Sequence, residues 1–167
     1  MNISYNWLKR YIDITESPEE IAKILTSIGL EVGTLESASP ELSEGLKIGE
    51  VVECVAHENS DHLHVAKVNV GEPELLQIVC GAPNCRAGLK TIVATIGTVL
   101  PDGDKTFTIK KGKLRGVESH GMLCSGVELG VNENMYPGAE YNGLLVFPED
   151  TPVGVDVKPI LGLDDWI

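Results

Sequence analysis

The chain has 167 residues, 43% hydrophobic and 23% charged, a composition that suits one or two small domains with a packed core and excludes a disordered chain. Its 13 Lys and Arg stand against 25 Asp and Glu, a formal net charge of −12. That balance argues against a general nucleic-acid binder, though a local basic strip on an acidic body can still hold phosphate. The opening MNISYNWLKRYIDI has no charged region followed by an apolar run, and no apolar stretch reaches the roughly 18 residues that span a bilayer, so neither a secretory leader nor a membrane helix is expected. Four cysteines (Cys54, Cys80, Cys85, Cys124) are too few for a disulfide scaffold and read as reduced thiols in a cytoplasmic protein.

In chain order, residues 1–38 form the first unit. Trp7, Leu8, Tyr11 and Ile12 share one face of a short helical stretch. Ser17, Pro18 and Glu20 make a capping box, followed by Ile21, Ile24, Leu25 and Ile28 at helical spacing and by Gly29 as a left-handed stop. Leu30, Val32 and Leu35 suggest a short extended piece. SASPELSEG (37–45) reads as a linker. From Leu46 the pattern turns to short strands: LKIGEVVECVAH, HLHVAKVNV, LLQIVC, TIVATIGTVL, TFTIKKGKL, GMLCS and LLVF. Within HLHVAKVNV the apolar phase slips by one residue, which predicts a β-bulge near Val65 and Ala66 or burial on both faces. Many short strands, a weak helical turn near Glu128 and no long helix imply a small antiparallel barrel. The chain stops abruptly on Trp166-Ile167, which reads as a break within a longer sequence.

Four constellations bear chemical readings. HENSDHLHV (57–65) holds His57, Asp61, His62 and His64, a metal-ligand set without closed spacing in a segment rich in turn formers, so the turn reading is preferred. CGAPNC (80–85) spaces its cysteines poorly for zinc and reads as a tight turn with buried thiols. His120, Cys124 and Ser125 lack the orienting third group that a nucleophilic site needs. KTFTIKKGKLRG (105–116) gathers Lys105, Lys110, Lys111, Lys113 and Arg115 with no acid between them, interleaved with Phe107 and Ile109 as on a strand with one wet, basic face. No phosphate loop, dinucleotide fingerprint or paired-carboxylate motif is present.

Taken together, ISYNWLKRYIDI, IGLEV, HENSDHLHVAKVNVG, LQIVCGAPNCRAGLK, KGKLRGVESHGMLCSGVELG, PEDTPVGVD and LGLDD resemble, in order, the N-terminal region of the bacterial phenylalanyl-tRNA synthetase beta subunit. The resemblance implies a mainly β fold: an antiparallel OB-fold tRNA-binding domain at 39–151, inserted into a small, discontinuous and incomplete α+β domain made of 1–38 and 152–167. It implies a tRNA partner and a cytoplasmic assembly of two alpha and two beta subunits, with no membrane contact. ATP and Mg²⁺ serve aminoacylation in the alpha subunit of the whole enzyme, so this chain is expected to hold no catalytic site, metal or cofactor of its own. The sequence departs from the family where Glu58 and His62 stand in place of a proline and a lysine, and the 131–143 loop is longer than the family's. If that lysine holds phosphate, His62 implies weaker binding that rises as the imidazole protonates.

The expected tRNA-contacting residues are Lys105, Lys110, Lys111, Lys113 and Arg115, with Arg86 and Lys90 in second place. The usual OB binding face, on the second and third strands, adds Lys67 and His64 as rivals. Two other readings stay open: a protein–protein interaction module, and a stand-alone tRNA-binding or chaperone-like protein.

Overall fold

The computed structural model describes residues 1–37 and 42–167. The chain divides into two compact units, one made of Met1–Glu41 with Lys158–Ile167 and the other of Leu42–Val157. The domain boundary expected between 38 and 39 lies outside the described residues.

In the first unit, α1 (Tyr5–Leu8) is capped by Ser4, whose Oγ accepts from Trp7 N at 2.9 Å. The capping box of α2 (Pro18–Ser27) forms as the sequence predicts: Ser17 N donates to Glu20 Oε2 at 2.9 Å, and Glu20 N to Ser17 Oγ at 3.3 Å. Gly29, at φ 98°, ends the helix in the left-handed region. Leu30 N reaches back to Leu25 O at 2.9 Å and Gly29 N to Thr26 O at 3.2 Å, a Schellman motif that satisfies carbonyls the helix leaves open. The extended piece expected over Leu30, Val32 and Leu35 is not a strand. After it, a bridge joins Ser37 and Trp166, with reciprocal Glu36–Ile167 hydrogen bonds.

The second unit is mainly β and antiparallel, as the sequence implies. Its sheet is curled in the OB manner and built on one long strand, β1 (Leu46–Ala56), that serves two partners. Residues 50–56 pair with β2 (His64–Asn69), which pairs in turn with β3 (Leu76–Cys80). Residues 46–50 pair with β4 (Lys90–Ala94). A strand that changes partner midway must bend, and the register shift falls between Val51 and Glu53 of β1. The irregularity expected at Val65–Ala66 is therefore on the partner strand, while Val65 and Ala66 pair regularly with Val55 and Cys54.

Two strand readings divide. TIVATIGTVL turns after β4 and continues as β5 (Val99–Asp102), and the basic segment splits into β6 (Lys105–Thr108) and β7 (Gly112–Leu114). The second break has a clear cause. Ile109 is buried and trades backbone bonds with the turn ahead of β5, Ile109 N to Thr98 O and Gly97 N to Ile109 O, both 2.8 Å, so Lys110 and Lys111 leave the ladder. β5 pairs with β6, and β7 with β8 (Val117–Ser119). β9 (Met122–Cys124) and β10 (Val146–Phe147) share the free edge of β4, and α3 (Val157–Ile160) follows.

The inner face is apolar and closed. Val51, Ala66, Val68, Ile78 and Val93 are fully buried in one cluster with Leu123 and Leu144. Gly49 belongs to this packing, since a Cβ there would stand 2.4 Å from Val93 Cγ2. The open edge of β3 is covered by β8 through His120 N to Gln77 O at 2.8 Å, Val79 N to Ser119 Oγ at 3.1 Å and Gln77 Nε2 to Glu118 O at 2.9 Å. Covering an edge in this way satisfies strand donors that would otherwise face solvent.

Candidate nucleic-acid interface

The basic residues sit on two hairpins. β5–β6 turns through Gly103-Asp104 and places Lys105 opposite Asp102. β7–β8 turns through Arg115-Gly116, flanked by the Leu114–Val117 pair. Arg115 at φ 50° and Gly116 at φ 89° give a two-residue turn with both central residues left-handed, the type that matches strand twist. Holding an arginine in this region needs support, and Arg115 Nη1 supplies some by donating to Asn59 O at 2.8 Å.

The His57–Ser60 segment that supplies Asn59 also meets this hairpin at Leu114. His57 is buried, its Nδ1 accepts from Asn59 N at 3.0 Å, and its Nε2 lies 2.9 Å from Leu114 O. An acceptor at Nδ1 requires the proton on Nε2, so His57 is a neutral bracket between the HENS loop and the hairpin. His62 is exposed and pairs with Asp61 at 3.2 Å, which holds the Asp61 carboxyl below its usual range. His64 heads β2, with Nδ1 buried and unpartnered among the described residues. The three histidines thus have three separate settings, and among the described residues no group of three His, Cys, Asp or Glu is arranged to hold a metal. His120 Nε2 faces Glu118 Oε2 at 3.4 Å, whereas the Cys124 thiol is buried and pushed up to about 12, chiefly by burial, so neither forms an activated Cys–His pair.

The nine expected contact residues separate by what already holds them. Lys111 Nζ pairs with Glu118 Oε2 at 3.2 Å, and this ammonium is the main reason the Glu118 carboxyl lies below the usual range. Arg86 Nη2 donates to Glu140 Oε2 at 3.1 Å and is the first cause of that carboxyl's lowered pKa. Glu140 comes from the 131–143 loop, so this loop, to which the sequence assigns no role, supplies the acid that occupies Arg86. Lys90 is half-buried and donates to the carbonyls of Glu149 and Thr151 at 2.5 and 2.6 Å. Lys67 Nζ donates to Gln77 Oε1 at 2.7 Å and sits opposite Glu53 in the ladder. Lys105 and Lys110 have no hydrogen-bond or ion-pair partner among the described residues, and Lys113, opposite Glu118, has only that carboxylate's field. All three are exposed. Phe107 and Leu114 lie on the same two hairpins with 39% and 46% of their surface open, a modest apolar complement to the charge.

The two rival surfaces are joined. Lys67 reaches Gln77, the Gln77 amide holds the Glu118 carbonyl, and the Glu118 carboxylate receives Lys111 and His120. The β2–β3 face therefore runs into the β7–β8 hairpin, with Lys67 and Lys111 partnered near the sheet and Lys105, Lys110 and Lys113 without an ion pair among the described residues.

Comparison with known proteins bears out the resemblance read from the sequence. The chain is 54% identical over 160 residues, 95% of its length, to the phenylalanine–tRNA ligase beta subunit of Bacteroides fragilis, covering 19% of that protein. It is 54% identical over 157 residues to the Porphyromonas gingivalis subunit, covering 93% of this chain and 18% of that one. The subunit of Pseudoalteromonas translucida is 48% identical over 167 residues, with 100% of this chain and 20% of that one covered. The chain thus spans about a fifth of the length of these curated relatives. The family described as "Putative tRNA binding domain" matches residues 46–156, the curled sheet and both basic hairpins, and the chain belongs to that family.

Proposed function

We propose that the Leu42–Val157 unit is the tRNA-contacting part of a phenylalanine–tRNA ligase beta subunit, and that it holds phosphate through Lys105, Lys110 and Lys113. The observation that carries this reading is that these three exposed cations have no ion-pair partner among the described residues, on a chain of net charge −12. Cations already satisfied within the protein must break a bond to meet phosphate, whereas these need not. Lys111, Arg115 and Lys67 then act as positioning residues, and Arg86 and Lys90 as structural ones. Domain 39–151 serves as the contacting module and the small discontinuous domain of 1–38 and 152–167 as its anchor in a larger subunit. The whole enzyme joins phenylalanine to tRNA with ATP and Mg²⁺ in the cytoplasm, as two alpha and two beta subunits, and this region contributes contact and assembly rather than catalysis.

The test is a tRNA titration across a salt series with wild type and Lys105→Ala/Lys110→Ala/Lys113→Ala. Loss of three phosphate contacts flattens the slope of log K against log salt by about 2.7 for a duplex region. An unchanged slope removes the hairpins from the site. Absence of binding by both this chain and its full-length form favours a protein–protein role.

A further inference from the structure

The ladder between β1 and β4 ends at Glu50. Beyond that point the loop that follows β3 runs along the same edge of β1: Val51 N donates to Leu89 O at 2.9 Å, and Gly88 N donates to Val51 O at 2.7 Å. Three residues further along β1 and three residues back along the loop stand Cys54 and Cys85. Their sulfurs lie 3.6 Å apart, and Cys54 Sγ is also 3.5 Å from Cys85 O. The contact is therefore fixed by the backbone bonds that dock the loop. Both thiols are free, Cys54 half-buried and Cys85 buried.

We propose that Cys54 and Cys85 are a reversible redox pair, closed to a disulfide by a small organic disulfide of the glutathione type, and that the bond fastens the 81–89 loop to β1. Sulfurs 3.6 Å apart are already in contact, and a bond of about 2.05 Å is a short further approach. Cys54 is the point of entry, because it is the one thiol of the four that is not buried. The Cys85 thiol is pushed up, first by Cys80 and then by burial, so it keeps its proton while Cys54 reacts. Cys80 is the rival partner at the other end of the same turn, but only 6% of its surface is open and its Sγ accepts from Ala82 N at 3.4 Å. Cys54 and Cys85 are 31 positions apart, so their bond closes a loop that contains β2 and β3. The fastened segment also carries Asn84, whose Oδ1 accepts from Leu144 N at 2.9 Å, and Arg86, paired with Glu140. Oxidation thus stiffens a corner where three segments meet.

The chemistry balances with one small disulfide as oxidant. Cys54 gives up its proton and its thiolate attacks one sulfur of that disulfide: a mixed S–S bond forms, the original S–S bond breaks, and the leaving thiolate takes up a proton. Cys85 sulfur then attacks Cys54 sulfur, the Cys54–Cys85 bond forms, the mixed bond breaks, and the second small thiol departs with the Cys85 proton. Two protein thiols are oxidised by two electrons, and one small disulfide is reduced to two thiols. Disulfides of this kind in a reducing compartment are transient and report its redox state.

The experiment equilibrates the reduced chain with graded ratios of reduced and oxidised glutathione, follows it by intact mass, and maps linked peptides after blocking free thiols. In wild type, one glutathione adduct appears briefly on Cys54 and gives way to a Cys54–Cys85 link that dithiothreitol reverses, with Cys80 and Cys124 still free. The linked form melts about 5–10 °C above the reduced one, as a disulfide closing a loop of this length does in a small domain. Cys85→Ser leaves the adduct standing on Cys54, and Cys80→Ser leaves the link unchanged. Mapping of the wild type needs no variant to fold. A Cys80–Cys85 link, an adduct that persists on Cys54 in wild type, survival of all four thiols, or a link without a rise in melting temperature overturns the proposal. Neither cysteine belongs to the basic hairpins, so this pair and the tRNA contact can each fail without the other.

Discussion

Glu118 is the residue on which the hairpin charge turns. It is the only acid that pairs with a cation of the basic segment among the described residues, and it takes Lys111 out of play. Replacing it with glutamine frees that ammonium, so Glu118→Gln is expected to strengthen tRNA binding and to steepen the salt slope by about 0.9, measured in the same titration. The reverse experiment is thermodynamic. The folded Glu118 carboxyl lies below its ordinary value because of Lys111 first, then His120 and Lys113. A carboxyl lowered on folding stabilises the protein above its unfolded pKa, and that stabilisation is lost as pH falls through the lower, folded value. Lys111→Ala is therefore expected to raise the Glu118 pKa toward the ordinary range in an NMR titration and to reduce the acid loss of stability on that side of neutrality. Because the pair is exposed, the effect at neutral pH is small. At this scale the sequence shows which residues carry charge but not which are free. Arg86 and Glu140 are 54 positions apart, Lys90 and Glu149 59, Arg115 and Asn59 56, so no local pattern announces these pairings.

The hairpins and β1 are the elements that place the site, and each depends on a glycine for a different reason. Gly116 has φ 89°, and a Cβ added to it would meet nothing within 4 Å, so its requirement is purely conformational. Gly116→Ala is expected to cost about 1 kcal/mol in a denaturant melt, and to weaken tRNA binding by loosening the turn that carries Lys113. Gly49 is the opposite case, with an ordinary φ and no room. Its Cβ would meet Val93 Cγ2 at 2.4 Å and Val68 Cγ1 at 3.0 Å, on both neighbouring strands at once. Gly49→Ala is expected to cost about 1–3 kcal/mol through overpacking, with the sheet strained where β1 passes between β2 and β4. An Ala variant as stable as wild type would show that β1 can shift outward. The capped helix and the CGAPNC turn are legible from sequence because their bonds are local, Ser17 with Glu20 and Cys85 with Ala82. The division of the basic segment into two strands is not, because it is driven by Ile109 bonding to Thr98 and Gly97 across a turn.

On the scale of the molecule, most burial lies in the Leu42–Val157 unit, whereas no residue of α1 or α2 is buried. Each fully buried Ile, Val or Leu contributes about 1.5–3 kcal/mol, so this unit holds the means of its own stability. A chain of Leu42–Val157 is expected to unfold cooperatively and to keep the salt slope of the longer chain; loss of binding with the fold intact would place phosphate contacts outside it. What the sequence determines by itself is the β character, the capped helix, the short turns and the family, since each rests on periodicity, on bonds between near neighbours or on ordered motifs. Only the tertiary structure decides which of nine basic and histidine candidates remain available and that the sulfurs of Cys54 and Cys85 come within 3.6 Å of each other. Ion pairs and buried sulfurs are settled by sheet register and loop docking, which bring together residues that the sequence keeps far apart.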